Sequence, residues 1–243
     1  MAEARLARLI RTERMGPEAR LLTFAMAGGE LRFTGGQYII VNTGIELGGG
    51  KLAKRAYSIL STDDEQQEFQ LAVRRIGEGP GSNFMHRIAV GAEIPFSGPW
   101  GKFLPDSVPG PRFVFATDTG ITAALGLIRG RHFRESATET TVIWFVESDD
   151  YFVPVSFARA SMRSGLAAFE VALAPPVDDA SRLERALALV DRSLGAQSPA
   201  CAFLAGDGAI IYPLRERLVA TGVPPENIRL EAFFNNPDRK ARP

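Results

Sequence analysis

The chain has 243 residues, 45% of them apolar and 23% charged, the proportions of an ordinary globular protein with enough chain for two domains of average size. Lys plus Arg (28) balances Asp plus Glu (28), so no global field marks a nucleic-acid or membrane-surface binder. One cysteine, Cys201, and two histidines, His86 and His132, exclude a disulfide framework, a structural zinc site and an iron–sulfur cluster held by about four thiolates. No metal is therefore expected, and any redox chemistry must use an organic cofactor.

The longest apolar runs, such as Val142–Val146, are too short to span a bilayer. Met1–Arg14 interleaves arginine with apolar residues and lacks the unbroken apolar stretch of a signal peptide. A cytoplasmic location is the expectation. The sequence carries no signal of oligomeric state.

In chain order, the first half reads as short strands between turns. Arg20–Ala25, Gln37–Asn42, Arg55–Ser61, Phe69–Ile76 and Glu93–Phe96 carry β-branched, aromatic or alternating apolar residues. Phe69, Leu71 and Val73 alternate with Gln70 and Arg74, the period of a half-buried strand, and this strand is expected to pair with Arg55–Ser61. Turn signals (Gly28-Gly29, Gly35-Gly36, Gly48-Gly49-Gly50, Asp63-Asp64) punctuate the run. One short helix is expected with Ser82 as its cap and with Phe84, Met85 and Ile88 on one face. The pattern predicts a small antiparallel β-barrel over residues 1–105.

After a Pro- and Gly-rich linker, Pro105–Pro111, strands alternate with helices over residues 110–243. The strands are Phe113–Ala116, Thr141–Val146, Phe169–Leu173, Ala202–Ala205 and Ile228–Phe233. Between them lie a helix with Ile121, Ala124, Leu125 and Ile128 on one face, a second near Val155–Arg163, a third at Ala180–Leu194, and a last carrying Leu214 and Leu218. Such alternation predicts an α/β doubly wound parallel sheet, which binds ligands at the C-terminal ends of its strands.

Four segments carry chemistry. In Arg55-Ala56-Tyr57-Ser58, a tyrosine can stack on a flavin ring, a serine can hydrogen-bond its reactive edge, and an arginine can clamp a phosphate. Gly79-Pro80-Gly81-Ser82-Asn83 offers close backbone approach and a helix N-terminus to a diphosphate. Ala116–Thr122 and Leu204–Gly208 are strand-to-helix turns where a dinucleotide pyrophosphate would sit. Each alone has a plain structural reading: a strand with an exposed arginine, a turn with a helix cap, and α/β turns rich in Gly, Thr and Asp.

Order and spacing lift the four above those readings, and together they resemble the ferredoxin–NADP⁺ reductase family over nearly the whole chain. The family's Arg-x-Tyr-Ser motif, Gly-rich diphosphate turn and Gly-Pro-x-Gly junction look like Arg55–Ser58, Gly79–Asn83 and Gly98-Pro99-Trp100-Gly101. Its nucleotide turn is similar to Asp118–Ala123, and its Cys-Gly turn and C-terminal Glu-x-Phe to Ala205-Gly206 and Glu231-Ala232-Phe233. The resemblance implies FAD held by Arg55, Ala56, Tyr57 and Ser58, flanked by Val73 and Arg74, with its diphosphate on Gly81, Ser82 and Asn83. It places NADH or NADPH against Thr119, Gly120, Gly206 and Asp207, with Thr122 and Phe233 near the flavin ring. It leaves Ser58 and Glu231 as the catalytic candidates.

Three departures stand out. Asp118 replaces a glycine of the nucleotide turn, and its carboxylate is expected to face and repel a phosphate; Ala123 replaces a proline; Ala205 replaces the family's cysteine, which Cys201, four residues upstream, cannot supply. Glu147-Ser148-Asp149-Asp150 ends the second strand of the parallel sheet, where Glu147 can accept from a ribose 2′-OH and repel a 2′-phosphate, favouring NADH; the alternative is a solvated acidic turn. His86 and His132 are assigned no catalytic role.

These features imply an FAD-dependent NAD(P)H oxidoreductase whose one-electron partner is a separate ferredoxin, flavodoxin or oxygenase component. The alternative is a flavin-binding electron-transfer or regulatory subunit with a degenerate nicotinamide site. A flavin-free dehydrogenase is disfavoured by the β-rich first half.

Overall fold

The computed structural model of the protein describes residues 4–105, 107–162, 165–195 and 197–237. Its first unit is a sheet of β1 (Arg5–Arg14), β2 (Ala19–Met26), β3 (Tyr38–Glu46), β4 (Leu52–Ser58), β5 (Glu68–Arg74) and β6 (Glu93–Trp100). The order is β4-β3-β6-β1-β2-β5, with every neighbouring pair antiparallel. After β4 the chain stitches the two edges together: Ile59 N–H donates to the Gln37 carbonyl (2.9 Å) and Leu60 N–H to the Gln70 carbonyl (2.8 Å). The sheet thereby curls into the expected barrel-like form.

Two expectations are corrected here. β5 does not pair with β4; it pairs with β2, setting Val73 opposite Arg20 and Arg74 opposite Ala19, and reaches β4 only through the edge closure. The sequence reading also contains no strand before Arg20. β1 forms because Ala7 and Leu9 alternate into the core while Arg8 and Arg11 stay at the surface.

Period-two alternation gives the β2–β5 pair two buried faces. Leu22, Phe24, Phe69, Leu71 and Val73 fill the barrel, where the Phe24 and Phe69 rings stack at 5.4 Å. Ala19, Leu21 and Ala72 point the other way, into the second unit's core. Helix α1 (Pro80–Arg87) closes the barrel with Met85 buried. Its cap is Gly79 with Pro80 first in the helix, not Ser82, since a proline at the first helical position forfeits only an N–H that has no intrahelical partner.

The second unit runs β7 (Arg112–Thr117), α2 (Ile121–Arg129), β8 (Thr140–Val146), α3 (Val155–Ser161), β9 (Ala168–Leu173), α4 (Arg182–Leu194), β10 (Cys201–Asp207), α5 (Gly208–Ala220) and β11 (Ile228–Phe234). Arg163, which the sequence reading placed at the end of the second helix, lies outside the described residues, as does residue 106 of the linker. The sheet is parallel in the order β11-β10-β7-β8-β9. Val114, Ala116, Val142 and Trp144 face α2 and α3, and Phe113, Phe115, Ile143 and Phe145 face α4 and α5. Burial on both faces explains why β7 and β8 read as unbroken apolar runs.

The two units share one core. Leu60 and Phe103 join Ala19, Leu21 and Ala72 against α2. A Cβ on Gly126 of α2 would fall under 3.0 Å from the Ile59 carbonyl oxygen, so only glycine lets helix and barrel approach this closely. The fully buried Asp63 carboxylate accepts from Gly35 N–H (3.0 Å) and Arg131 N–H (2.6 Å), tying the barrel to the residues after α2.

Candidate flavin and nucleotide site

The barrel side is built around β4. Tyr57 and Ser58 lie opposite Ile39 and Tyr38 of β3. Ser58 is buried and Tyr57 half-buried, and burial pushes the Tyr57 phenol well above its ordinary value. Arg55 and Ala56 are exposed. The Arg55 stem crosses the first turn of α1, where a Cβ on Gly81 would fall under 3.0 Å from Arg55 Cγ. Glycine at 81 thus brings a guanidinium and a helix N-terminus to one place. That first turn holds no acidic residue, and the N–H groups of Gly81 and Ser82 have no intrahelical acceptor.

The Ser82 and Asn83 side chains serve the turn itself. Ser82 Oγ donates to the Gly79 carbonyl (3.1 Å) and accepts from Ile76 N–H (3.1 Å), and Asn83 Nδ2 donates to the Gly77 carbonyl (2.8 Å). They hold the loop that presents the backbone donors. A cleft of about 490 Å³ opens alongside, between Phe84 and Arg87 of α1 and Ile45 of β3. A cation, free N–H groups and an adjoining cleft fit the diphosphate end of FAD.

The nucleotide side lies where the parallel sheet reverses its order, between β7 and β10. Gly206 has φ +124°, and a Cβ there would fall under 3.0 Å from both Oγ1 and the carbonyl oxygen of Thr117. Gly120 presses on the Ala205 carbonyl in the same way. These glycines bring the two strand-to-helix turns into backbone contact, and Asp207 N–H donates to Thr117 Oγ1 at 2.8 Å. Thr122 Oγ1 donates to the Thr119 carbonyl at 2.9 Å. The buried Asp207 carboxylate caps α5 through Ala209 N–H (2.9 Å) and accepts from Asn235 Nδ2 (2.9 Å). Asp207 thus holds the turn together through both its N–H and its carboxylate.

Asp118 is placed otherwise than its sequence context suggests. It is fully buried with φ +49°, and its Oδ2 lies 2.5 Å from Nη2 of the equally buried Arg182. The Trp144 indole N–H holds its carbonyl at 2.9 Å. Burial pushes the Asp118 carboxyl up to about 6, with Arg182 pulling it down. The carboxylate therefore faces a guanidinium, which corrects the expectation of a bare charge aimed at a phosphate. Glu147, partly exposed, is held at one oxygen: its Oε1 accepts from Val177 N–H (2.9 Å) and lies 3.5 Å from Arg182 Nη1. Asp149 and Asp150 are exposed, with Ser148 Oγ donating to Asp150 at 2.7 Å.

The two sides meet around Gly101. A Cβ there would lie 3.1 Å from the Tyr38 ring and 3.7 Å from Glu231 Oε2. Tyr38 is the cross-strand partner of Ser58, so the strand pair of the flavin motif and Glu231 of β11 both approach Gly101. Phe233, two residues after Glu231 in β11, is half-buried against the shared core. Val73 points into the barrel and brings only backbone; its carbonyl is bonded to His86 Nε2 at 2.9 Å. His132 is exposed. Arg74 is held by the second unit, donating from Nε to the Tyr151 carbonyl (3.0 Å) with its guanidinium 4.0 Å from the Tyr151 ring centroid. Sequence reasoning missed Arg182, Trp144, Tyr151 and Asp63. An arginine at a helix start or a tyrosine in a loop looks exposed until the fold buries it.

Residues 6–104 match the oxidoreductase FAD-binding domain family. The chain is 40% identical over 130 residues to ferredoxin–NADP reductase B of Sorangium cellulosum, covering 53% of this chain and 52% of that protein. It is 24% identical over 234 residues to the ferredoxin reductase component of the 3-ketosteroid-9-alpha-monooxygenase of Mycobacterium tuberculosis, covering 89% and 62%. The chain thus spans about half the length of the Sorangium reductase. Its fold is that of the cytochrome P450 reductase GcoB of Amycolatopsis, with a TM-score of 0.76 at 21% identity over 96% of this chain and 71% of that one. Residues 6–104 thus match an oxidoreductase FAD-binding domain, and the chain as a whole, with its antiparallel and parallel sheets, is similar to ferredoxin–NADP reductases and shares the fold of a flavin reductase.

Proposed function

We propose that the protein is an FAD-dependent NAD(P)H oxidoreductase that passes electrons from a reduced nicotinamide nucleotide to a separate one-electron carrier, a ferredoxin, flavodoxin or oxygenase component. The flavin domain is residues 1–105 and the nucleotide domain 110–243. The observation that carries this reading is the approach of Tyr38, the cross-strand partner of Ser58, and of Glu231 in β11 to Gly101, which brings the strand pair of the flavin motif to the parallel sheet. The relatives point the same way, since they include a ferredoxin–NADP reductase and a ferredoxin reductase component of a monooxygenase.

Bound FAD supplies the chemistry, accepting a hydride from nicotinamide and releasing electrons singly. The protein's part is placement. Arg55 with the Gly81 and Ser82 N–H groups would hold the diphosphate, Tyr57 would back the ring, and Ser58 would hydrogen-bond its edge. Thr119, Gly120 and Gly206 would present backbone to the nucleotide, and the shared core would keep the two sites in one fixed relation. Glu231, at the meeting point, would orient the nicotinamide or relay a proton. NADH is the favoured donor, because the exposed Asp149 and Asp150 follow β8 where a 2′-phosphate would lie.

No helix among the described residues is long and apolar enough to cross a membrane. The test is the visible spectrum of purified protein before and after anaerobic NADH or NADPH. A bound-flavin spectrum that bleaches supports the reading, and a protein that neither carries nor takes up FAD contradicts it.

A further inference from the structure

The family's glycine at position 118 is replaced here by a residue that is left-handed, fully buried and acidic. Aspartate is among the few non-glycine residues that tolerate this backbone region, but a buried carboxylate needs a partner. The partner arrives from the opposite side of the sheet. Arg182, the first residue of α4, passes the Phe145 ring (5.5 Å to its centroid) and reaches the ends of three strands. It donates to Asp118 after β7 (2.5 Å), approaches Glu147 after β8 (3.5 Å), and donates to the Pro175 carbonyl after β9.

We propose that Asp118 and Arg182 form a positioning pair for the nicotinamide nucleotide: Arg182 neutralises Asp118 and pins it in the left-handed turn, so that the dinucleotide phosphates meet the backbone of Thr119 and Gly120 and not a carboxylate. This rests on the reading of the protein as an NAD(P)H oxidoreductase.

The groups facing Asp118 make the balance narrow. Glu147 from the end of β8 and Asp207 from the end of β10 both raise its proton affinity, and Arg182 from α4 lowers it. Tyr151, in the loop after β8 and covered by Arg74 of the barrel, also feels the Asp118 charge. One guanidinium therefore serves two carboxylates, Asp118 and Glu147, at the place where a pyrophosphate would add negative charge. Asp118 Oδ1 is buried without a hydrogen-bond partner, so removal of Arg182 leaves the carboxylate without a cation, whereas Arg182 keeps Pro175 and Glu147 if Asp118 is removed.

The experiment uses the FAD-loaded protein with NADH as donor and ferricyanide as one-electron acceptor, in wild type, Arg182→Met, and the double variant Asp118→Gly/Arg182→Met. Arg182→Met should raise KM for NADH on the order of tenfold, with kcat largely retained, because it leaves a carboxylate beside the phosphates. The increase should shrink as pH falls, with its midpoint above the wild-type Asp118 value of about 6, because the variant lacks the guanidinium that lowers that value. The double variant should return KM to near the wild-type value, with no pH dependence across that point. Neutral replacement of a whole buried pair is compatible with folding, so the double variant keeps the test open if Arg182→Met does not fold. A KM in the double variant as high as in Arg182→Met, or a double-variant profile with the wild type's pH dependence, overturns the pairing. Wild-type flavin that neither NADH nor NADPH bleaches overturns the functional reading, and this proposal with it.

Discussion

The Arg74 guanidinium lies 4.0 Å from the Tyr151 ring centroid and its Nε donates to the Tyr151 carbonyl at 3.0 Å, so the last residue of β5 is anchored by the loop that follows β8. The segment that carries Glu147, Asp149 and Asp150 thus leads directly to β5, the barrel's edge strand. Tyr151→Ala removes the ring but keeps the backbone acceptor. It should cost about 0.5–2 kcal/mol, the range for a cation–π contact between exposed and desolvated limits. Urea denaturation should show a lower midpoint with an unchanged slope, and an unchanged midpoint would mean that the carbonyl alone anchors Arg74.

Arg55 is predicted to be the principal side-chain contact to the FAD diphosphate. Charge-assisted hydrogen bonds contribute about 1.5–3 kcal/mol, so Arg55→Ala should weaken FAD binding roughly ten- to a hundredfold. Because Arg55 is exposed, its loss should leave thermal stability of the apoprotein nearly unchanged. Equilibrium titration of apoprotein with FAD gives the answer, and an unaltered dissociation constant would place the diphosphate elsewhere.

Much of this arrangement is legible in the sequence, for identifiable reasons. Fully buried β7 and β8 announce themselves as apolar runs, and β5 by its alternation, because burial on one or both faces leaves no other pattern. Gly81, Gly120 and Gly206 mark turns because backbone must come within contact distance there. β1 escapes notice because only Ala7 and Leu9 of its ten residues are buried. Pairing across the barrel closure is invisible to local pattern, which is why β5 was expected beside β4 and lies beside β2. Asp118 is the clearest miss. Its chemistry was visible but its partner stands 64 positions away, and no local rule links a turn aspartate to the first residue of a distant helix.

His86 supplies a pH prediction. Burial lowers its proton affinity, and the ring is bonded to the Val73 carbonyl. Below the ordinary histidine value of 6.5 the unfolded chain takes up the proton before the folded one does. The stability that neutral His86 supports is therefore fully present above 6.5 and declines as pH falls toward the folded value. His86→Gln should flatten that part of the stability–pH curve relative to wild type. A curve of unchanged slope in the variant would assign the dependence to other groups.

Basic residues near the flavin motif are candidates to steer an acidic redox partner, but they are not equivalent. Arg75 is bound bidentately to Glu18 (2.5 and 2.8 Å) and Arg74 is committed to Tyr151. Lys51 and Lys54 are exposed beside the motif. Lys51→Glu with Lys54→Glu should slow reduction of an acidic carrier at low salt and weaken its salt dependence, while NADH-to-flavin transfer is unchanged. Arg75→Glu should affect carrier reduction less. Equal effects of the two changes would show that overall charge, and not this face, governs association.

The central claim is that one chain takes electrons from a nicotinamide nucleotide as a pair and delivers them singly. Its most direct test is the stoichiometry and cofactor dependence of electron delivery by the FAD-loaded protein to a separate [2Fe–2S] ferredoxin, followed anaerobically with limiting NADH. The account predicts roughly two ferredoxins reduced per NADH consumed, with the reaction lost on removal of FAD and restored on adding it back. NADH oxidation that never reduces the carrier, or carrier reduction that proceeds equally without FAD, would contradict it.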